Sequence, residues 1–439
     1  MDLNSRFDVP KLLRFAMPTV IMMVFTSIYS MVDGIFVSRF VSADALTAVN
    51  IVYPMIFIVT GIGIMFSTGG SACVGKTMGE GNEEAARSQF SLICLVTAVT
   101  GAVLSLVSLI FMEELTGLLG ATDRIAPMCV EYGAIMMAAS PLSMLQIVFQ
   151  MFFVTAGKPK TGLYLTVISG LSNVVLDYLF IAHFGMGIRG AALATAASFA
   201  VGALFPLWYF LRKSRELYFG RPKFDAGVIF QSMYNGASEM VSNAAAAVTT
   251  FLFNITMMRI AAEEGVAAVT IVLYTQFLFT SVYLGFSNGV APIFSVSYGS
   301  QNRQRIKQLR KICFSLIVLF SVVSVCFALA VSRPLIAVFA KESTSLFDMA
   351  LRGFRIFAVN FLLAGVNIFA SSYFTALSNG KASAIISFSR TFVFQAPFVV
   401  LLPYEMGIDG VWLAIPFAEA VTLFVVLWQF VRYKGVYCD

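Results

Sequence analysis

An all-α polytopic membrane protein, with twelve transmembrane helices in two six-helix pseudo-symmetric lobes, is the fold class this sequence predicts. Three observations lead there. The chain of 439 residues is 59% hydrophobic and 12% charged, where a soluble chain carries about a quarter charged residues. Apolar stretches long enough to cross a bilayer, which takes ~20 residues, recur along the whole length. A glycine-rich segment is repeated at a spacing of 220 residues.

The apolar segments are read as twelve spans, over 12–38, 46–77, 88–112, 127–156, 161–183, 189–212, 228–260, 266–298, 308–332, 347–378, 382–403 and 409–432. Several exceed 25 residues, so tilts and kinks are expected. Cytoplasmic loops hold an excess of Lys and Arg. With the N-terminus inside, 20 of the 29 basic residues fall on the inner side. Both termini are therefore expected in the cytoplasm. No cleavable leader is expected, because apolar segments simply continue after the first.

The repeat runs from Phe66 to Asn82 and again from Phe286 to Asn302, aligned without a gap. It pairs Ser67 with Ser287, Gly69 with Gly289 and Gly79 with Gly299. At the same spacing Gly187, Ile188 and Gly190 match Gly407, Ile408 and Gly410. Residues 1–212 and 228–439 thus read as two lobes, joined by a basic cytoplasmic linker over 213–227. Six spans per lobe make the repeats parallel, about an axis along the membrane normal, as in many alternating-access transporters.

Composition also excludes. The net charge of +6 sits in short loops, so no nucleic-acid partner is expected. The six cysteines have no metal spacing and His183 is the single histidine, so no zinc or haem is expected. No phosphate loop, nucleophile elbow or metalloprotease motif occurs, and an enzyme is not expected.

Ionisable groups inside spans cost ~2.5–3.5 kcal/mol or more at mid-depth and so mark candidate function. Asp33 near the outer end of helix 1, Asp177 near the outer end of helix 5 and Thr195 on helix 6 fall at one depth. Asn173 lies one turn below Asp177. Two carboxylates with amide and hydroxyl partners suit a proton or sodium site; the plainer reading is that each acid satisfies a neighbour. Pro18 frees a backbone carbonyl in helix 1 and invites a bend. Glu239 is near mid-membrane on helix 7, and Asn254 stands where repeat alignment puts Asp33. Glu239 suits either a cationic substrate or a second cation, or a bond to a neighbouring helix. Arg390 and Glu419 fall at one depth on helices 11 and 12, and a structural ion pair is expected. Met22, Met23, Met31, Phe149 and Phe153 are candidates for a deformable apolar pocket, or else packing residues.

The Pro18 to Asp33 spacing, the run Ser172-Asn173-Val174-Val175-Leu176-Asp177, the turn Gly157-Lys158-Pro159-Lys160 before it and the two six-helix halves together resemble the multidrug and toxic compound extrusion (MATE) transporters. Within that family the chain looks most like the bacterial MepA-like branch. The resemblance covers the whole chain. It implies an antiporter with a central cleft that exports bulky, often cationic lipophilic drugs in exchange for protons or sodium. It also implies no cofactor, a site in the bacterial inner membrane and a monomer. Carried over by position, Asp33, Asn173 and Asp177 match the cation-coupling residues, with Tyr132 and Thr195 beside them. Gln150 stands where some members have Asn, and Glu239 resembles a helix 7 acid of sodium-coupled members. The helix 10 acid of those members is missing here, with Asn367 the nearest polar residue. A flippase for lipid-linked precursors is the alternative of related architecture.

Overall fold

A lipid-embedded backbone has no water to bond with, so each span must close its own hydrogen bonds as a helix. The computed structural model describes Leu3 and residues 7–212, 216–342 and 344–437, with side chains described for all of these except residues 30–40, 43, 436 and 437. Among the described residues, nine stretches are long and apolar enough to cross a membrane, and a bent pair adds a tenth. Two of the nine are double. The stretch Ala226–Gly299 leaves helical geometry at Ala261 and Ala262. The stretch Gly380–Arg432 does so at Gly407, whose φ is 58°. Divided at these breaks, the described residues form twelve spans.

We number the spans α1 (Val9–Phe40), α2 (Ala43–Gly79), α3 (Glu83–Ile110) and α4 (Ala126–Ala138 with Ser140–Thr155, bent by 49°). Then come α5 (Pro159–Asp177 with Tyr178–His183), α6 (Gly187–Phe210), α7 (226–260), α8 (263–299) and α9 (Arg303–Ala330). Last are α10 (Ser345–Ala376), α11 (380–406) and α12 (408–432). Helix α1 runs through Pro18 without interruption. The bend in α4 is a kink of the kind expected for so long a span, whereas a π-helical segment in α5 (Tyr178–His183) and another in α11 (Ser389–Gln395) have no counterpart in the sequence expectation.

The duplication is written in the backbone. Left-handed residues recur at the repeat spacing, Gly81 with Gln301 and Gly187 with Gly407, and Gly157 with Ser378 one residue further on. Helix starts repeat as well. Asn82 caps α3 through the amide of Ala85, and Asn302 caps α9 through that of Arg305.

The halves meet along α2 and α8, at the ends nearest the termini. A methyl group at Gly79 would collide with the carbonyl of Val296, and one at Gly299 with that of Lys76. Lys76 and Val296 are themselves repeat partners, so the seam is a two-fold contact that only glycine at both positions allows. The first half has its own core around Phe90, Phe149, Phe152 and Phe210. The inner part of α1, with Leu12, Phe15 and Ala16, packs instead into the core of the second half, beside Phe286 and Phe294.

Candidate functional site

Helix α5 carries a polar stripe. Thr166, Ser169, Asn173 and Asp177 recur at helical spacing, and all four are buried. Buried polar atoms need partners, and α6 supplies them for Asn173 and Ser169. Asn173 donates from Nδ2 to the Thr195 hydroxyl at 3.4 Å. Ser169 donates to the carbonyl of Ser198 at 2.7 Å. Asp177 is fully buried at the last α-helical residue, and the π-helical segment follows at once. Such segments occur often at functional sites. Sequence reasoning found Asn173, Asp177 and Thr195 but passed over Thr166 and Ser169, which the same 3.6-residue period would have shown.

The other first-half candidates divide. Gln150 donates to Thr166 at 3.1 Å, two turns below Asn173, and so belongs to the inner part of the stripe. Tyr132 is buried on α4. The side chains of Asp33 and Met31 fall outside the described residues. Around them α1 lies against α5: Met22 reaches Gly162, while Phe25 and Tyr29 reach Gly170. Phe149 and Phe153 do not line a pocket. Both are fully buried and packed on Phe210 with ring centroids at 5.8 and 4.9 Å, so the packing reading describes them. Met22 is also buried, and Met23 partly so.

The second half holds a different arrangement. Arg390 and Glu419 form an ion pair at 2.6 Å, with the Glu419 side chain fully buried. Removing two charges from water costs several kcal/mol per ion, which attraction offsets only when further hydrogen bonds complete the pair. They do so here. Asn367 donates to Glu419 Oε2 at 2.7 Å and Gln395 donates to Oε1 at 3.3 Å. Arg390 and Gln395 are five residues apart and would diverge on an α-helix. The π-helical segment Ser389–Gln395 turns both to one carboxylate. Asn367 thus serves Glu419, not a site with Glu239.

Glu239 lies elsewhere, half-buried at the seam between the halves. It lines a small cavity of about 10 Å³ with Thr68 and Ser71 of α2, Asn288 and Ser295 of α8, and Thr375 of α10. Asn254, further out on α7, is part-buried, and its Oδ1 has no hydrogen-bond partner among the described residues. Among the described residues no group of three or more His, Cys, Asp or Glu could hold a metal. Sodium at the α5 stripe would need hydroxyl, amide and single-carboxylate oxygens together.

The sequence pattern of the MatE family matches residues 18–179 and again 239–401. The chain is 21% identical over 414 residues to the multidrug export protein MepA of Staphylococcus saprophyticus, covering 93% of this chain and 90% of that one. It is 25% identical over 438 residues to the probable multidrug resistance protein YoeA of Bacillus subtilis, covering 96% and 93%. Among solved structures, an outward-facing multidrug resistance MATE family transporter of the MOP superfamily superposes with a TM-score of 0.92 at 21% identity, over 98% of this chain and 97% of that one.

Proposed function

The chain belongs to the MatE family of transporters, and from that premise we propose that it exports lipophilic, often cationic drugs by alternating access, in exchange for protons or sodium. The coupling site is the α5–α6 stripe with Asp33 of α1. One observation supports this most. The contacts Met22–Gly162 and Tyr29–Gly170 set α1 and α5 in parallel register. Position 33, one turn beyond Tyr29, then comes level with Asn173 and Asp177. Binding of a cation there would neutralise two carboxylates that repel in a medium of low dielectric. The packing of α1 on α5 would change with it, and drug would leave to the outside. Because α1 also packs into the second-half core, movement at its outer end reaches both halves.

The two-fold seam at Gly79 and Gly299 is the inner gate in this reading, and both termini lie in the cytoplasm of a bacterial cell. Transport itself is the test. In proteoliposomes, ethidium efflux is driven by an imposed pH gradient or an imposed sodium gradient, and Asp33→Asn abolishes it while the protein stays monodisperse. Full efflux by that variant would remove Asp33 from the mechanism.

A further inference from the structure

The two halves differ in charge where the repeat partners α3 and α9 begin. In α3, Glu83 and Arg87 stand one turn apart and attract, at 2.6 Å, while Glu84 takes Lys223 of the linker at 3.7 Å. At the positions aligned with Glu83 and Arg87, α9 has Arg303 and Lys307, and Lys311 follows one turn on. Like charges four residues apart repel along a helix. Five of the nine residues from Arg303 to Lys311 are basic and none is acidic. A general excess of basic residues on one membrane face accounts for their sign but not for their crowding, because α3 begins at the same face with two acids.

The end of α12 brings more positive charge to the same place. The ring of Phe314 on α9 meets that of Phe430 on α12, with centroids at 5.2 Å. Arg310 lies over Phe430 at 5.9 Å, and Arg432 over Trp428 at 5.3 Å. Among the described residues, Lys307, Arg310, Lys311 and Arg432 form no ion pair. Apolar surface continues directly from these cations. Lys307 and Lys311 are exposed and share a face of α9 with Val318 and Val322, which are exposed as well. On α12, Phe424, Trp428 and Val431 are exposed along one face. A surface that is apolar within the span and basic at its end fits a partner with apolar chains and an anionic head.

We propose that these ends of α9 and α12 form a binding site for an anionic phospholipid. Lys307, Lys311 and Arg432 hold its phosphate, Trp428 sits at the level of the headgroup, and its acyl chains run along Val318 and Val322. Each basic residue near an anionic headgroup adds to the attraction, and hydrogen bonds between ionised groups are the strong ones. Tryptophan favours the boundary between lipid and water. The bound phosphate also relieves the repulsion that α9 carries along its first turns. The inference goes beyond the export reading and stands without it.

Tryptophan fluorescence tests it. In proteoliposomes of a Trp208→Phe variant, Trp428 is the remaining exposed tryptophan, because Trp412 is buried. Quenching by acyl-brominated phosphatidylglycerol, against equally brominated phosphatidylcholine, gives their relative affinity beside it. Phosphatidylglycerol is expected to be preferred at least about tenfold, the scale of two basic residues beside an anionic lipid. Lys307→Gln with Lys311→Gln is expected to bring the preference below about threefold. Lys158→Gln with Lys160→Gln removes the same charge from the turn before α5, at the same membrane face, and keeps the preference within about twofold, since the attraction falls off over a Debye length. Equal quenching by the two lipids overturns the inference. An equal fall in both double variants overturns it too, because the preference would then follow net charge alone. Inorganic phosphate is expected to relieve no more quenching than sodium chloride of equal ionic strength. Complete relief by phosphate would make this a site for a soluble anion and overturn the inference as well.

Discussion

The two halves repeat one backbone and put different chemistry on it. In the first, a stripe of Thr166, Ser169, Asn173 and Asp177 meets the hydroxyl of Thr195 and the carbonyl of Ser198. In the second, the buried carboxylate of Glu419 is closed by Arg390, Asn367 and Gln395. Both sets use the helix that carries a π-helical segment, α5 in one half and α11 in the other. A carboxylate with a built-in guanidinium has its charge matched at all times. In the export reading proposed above, the first-half carboxylate is the one that takes up and releases an ion. On that proposal, the first half couples and the second is fixed in place by its ion pair.

The largest effect to separate them is expected in the ion pair. Arg390→Met alone leaves Glu419 charged and buried, which costs about 3–5 kcal/mol. The expected outcome is loss of most folded protein, read as monodisperse yield. Replacing both, Arg390→Met with Glu419→Leu, recovers most of that yield. A double variant as poor as the single would mean that the pair does more than hold α11 to α12. Next is the seam. Gly79→Ala and Gly299→Ala are each expected to lower stability by about 1–3 kcal/mol through overpacking, read as a fall in melting temperature. The two falls should be alike, because each methyl meets the same carbonyl of the other half. In the first half, Asn173→Ala leaves melting within about 1 kcal/mol, the scale of one neutral hydrogen bond, yet gradient-driven efflux falls at least tenfold. The smallest effect is at Gln301, left-handed at φ 54° where its repeat partner is Gly81. Gln301→Gly is expected to stabilise by up to about 1 kcal/mol.

Much of this was legible in the sequence, because lipid makes length and polarity decisive. The twelve spans, the fixed spacing of the repeats and the pairing of Arg390 with Glu419 come from segment length, identity at a constant offset, and depth. What was not legible depends on local backbone choice. An apolar run does not say where a helix will widen, so the π-helical segments in α5 and α11 went unforeseen, and with them the part of Gln395. The repeat alignment set Asn254 opposite Asp33 but did not say that Asn367 turns to Glu419. Met and Phe content suggested a pocket lined by Phe149 and Phe153. Burial against Phe210 put them in the core instead, since an apolar ring has the same sequence signature in a core as at a cleft.

The most direct measurement compares two variants in one assay, ethidium efflux from proteoliposomes under an imposed gradient, each reconstituted at equal folded amount. Asp177→Asn is predicted to abolish efflux, and the Arg390→Met, Glu419→Leu double variant to retain it. Efflux kept by Asp177→Asn and lost in the double variant would contradict the account, and would move coupling to the second half.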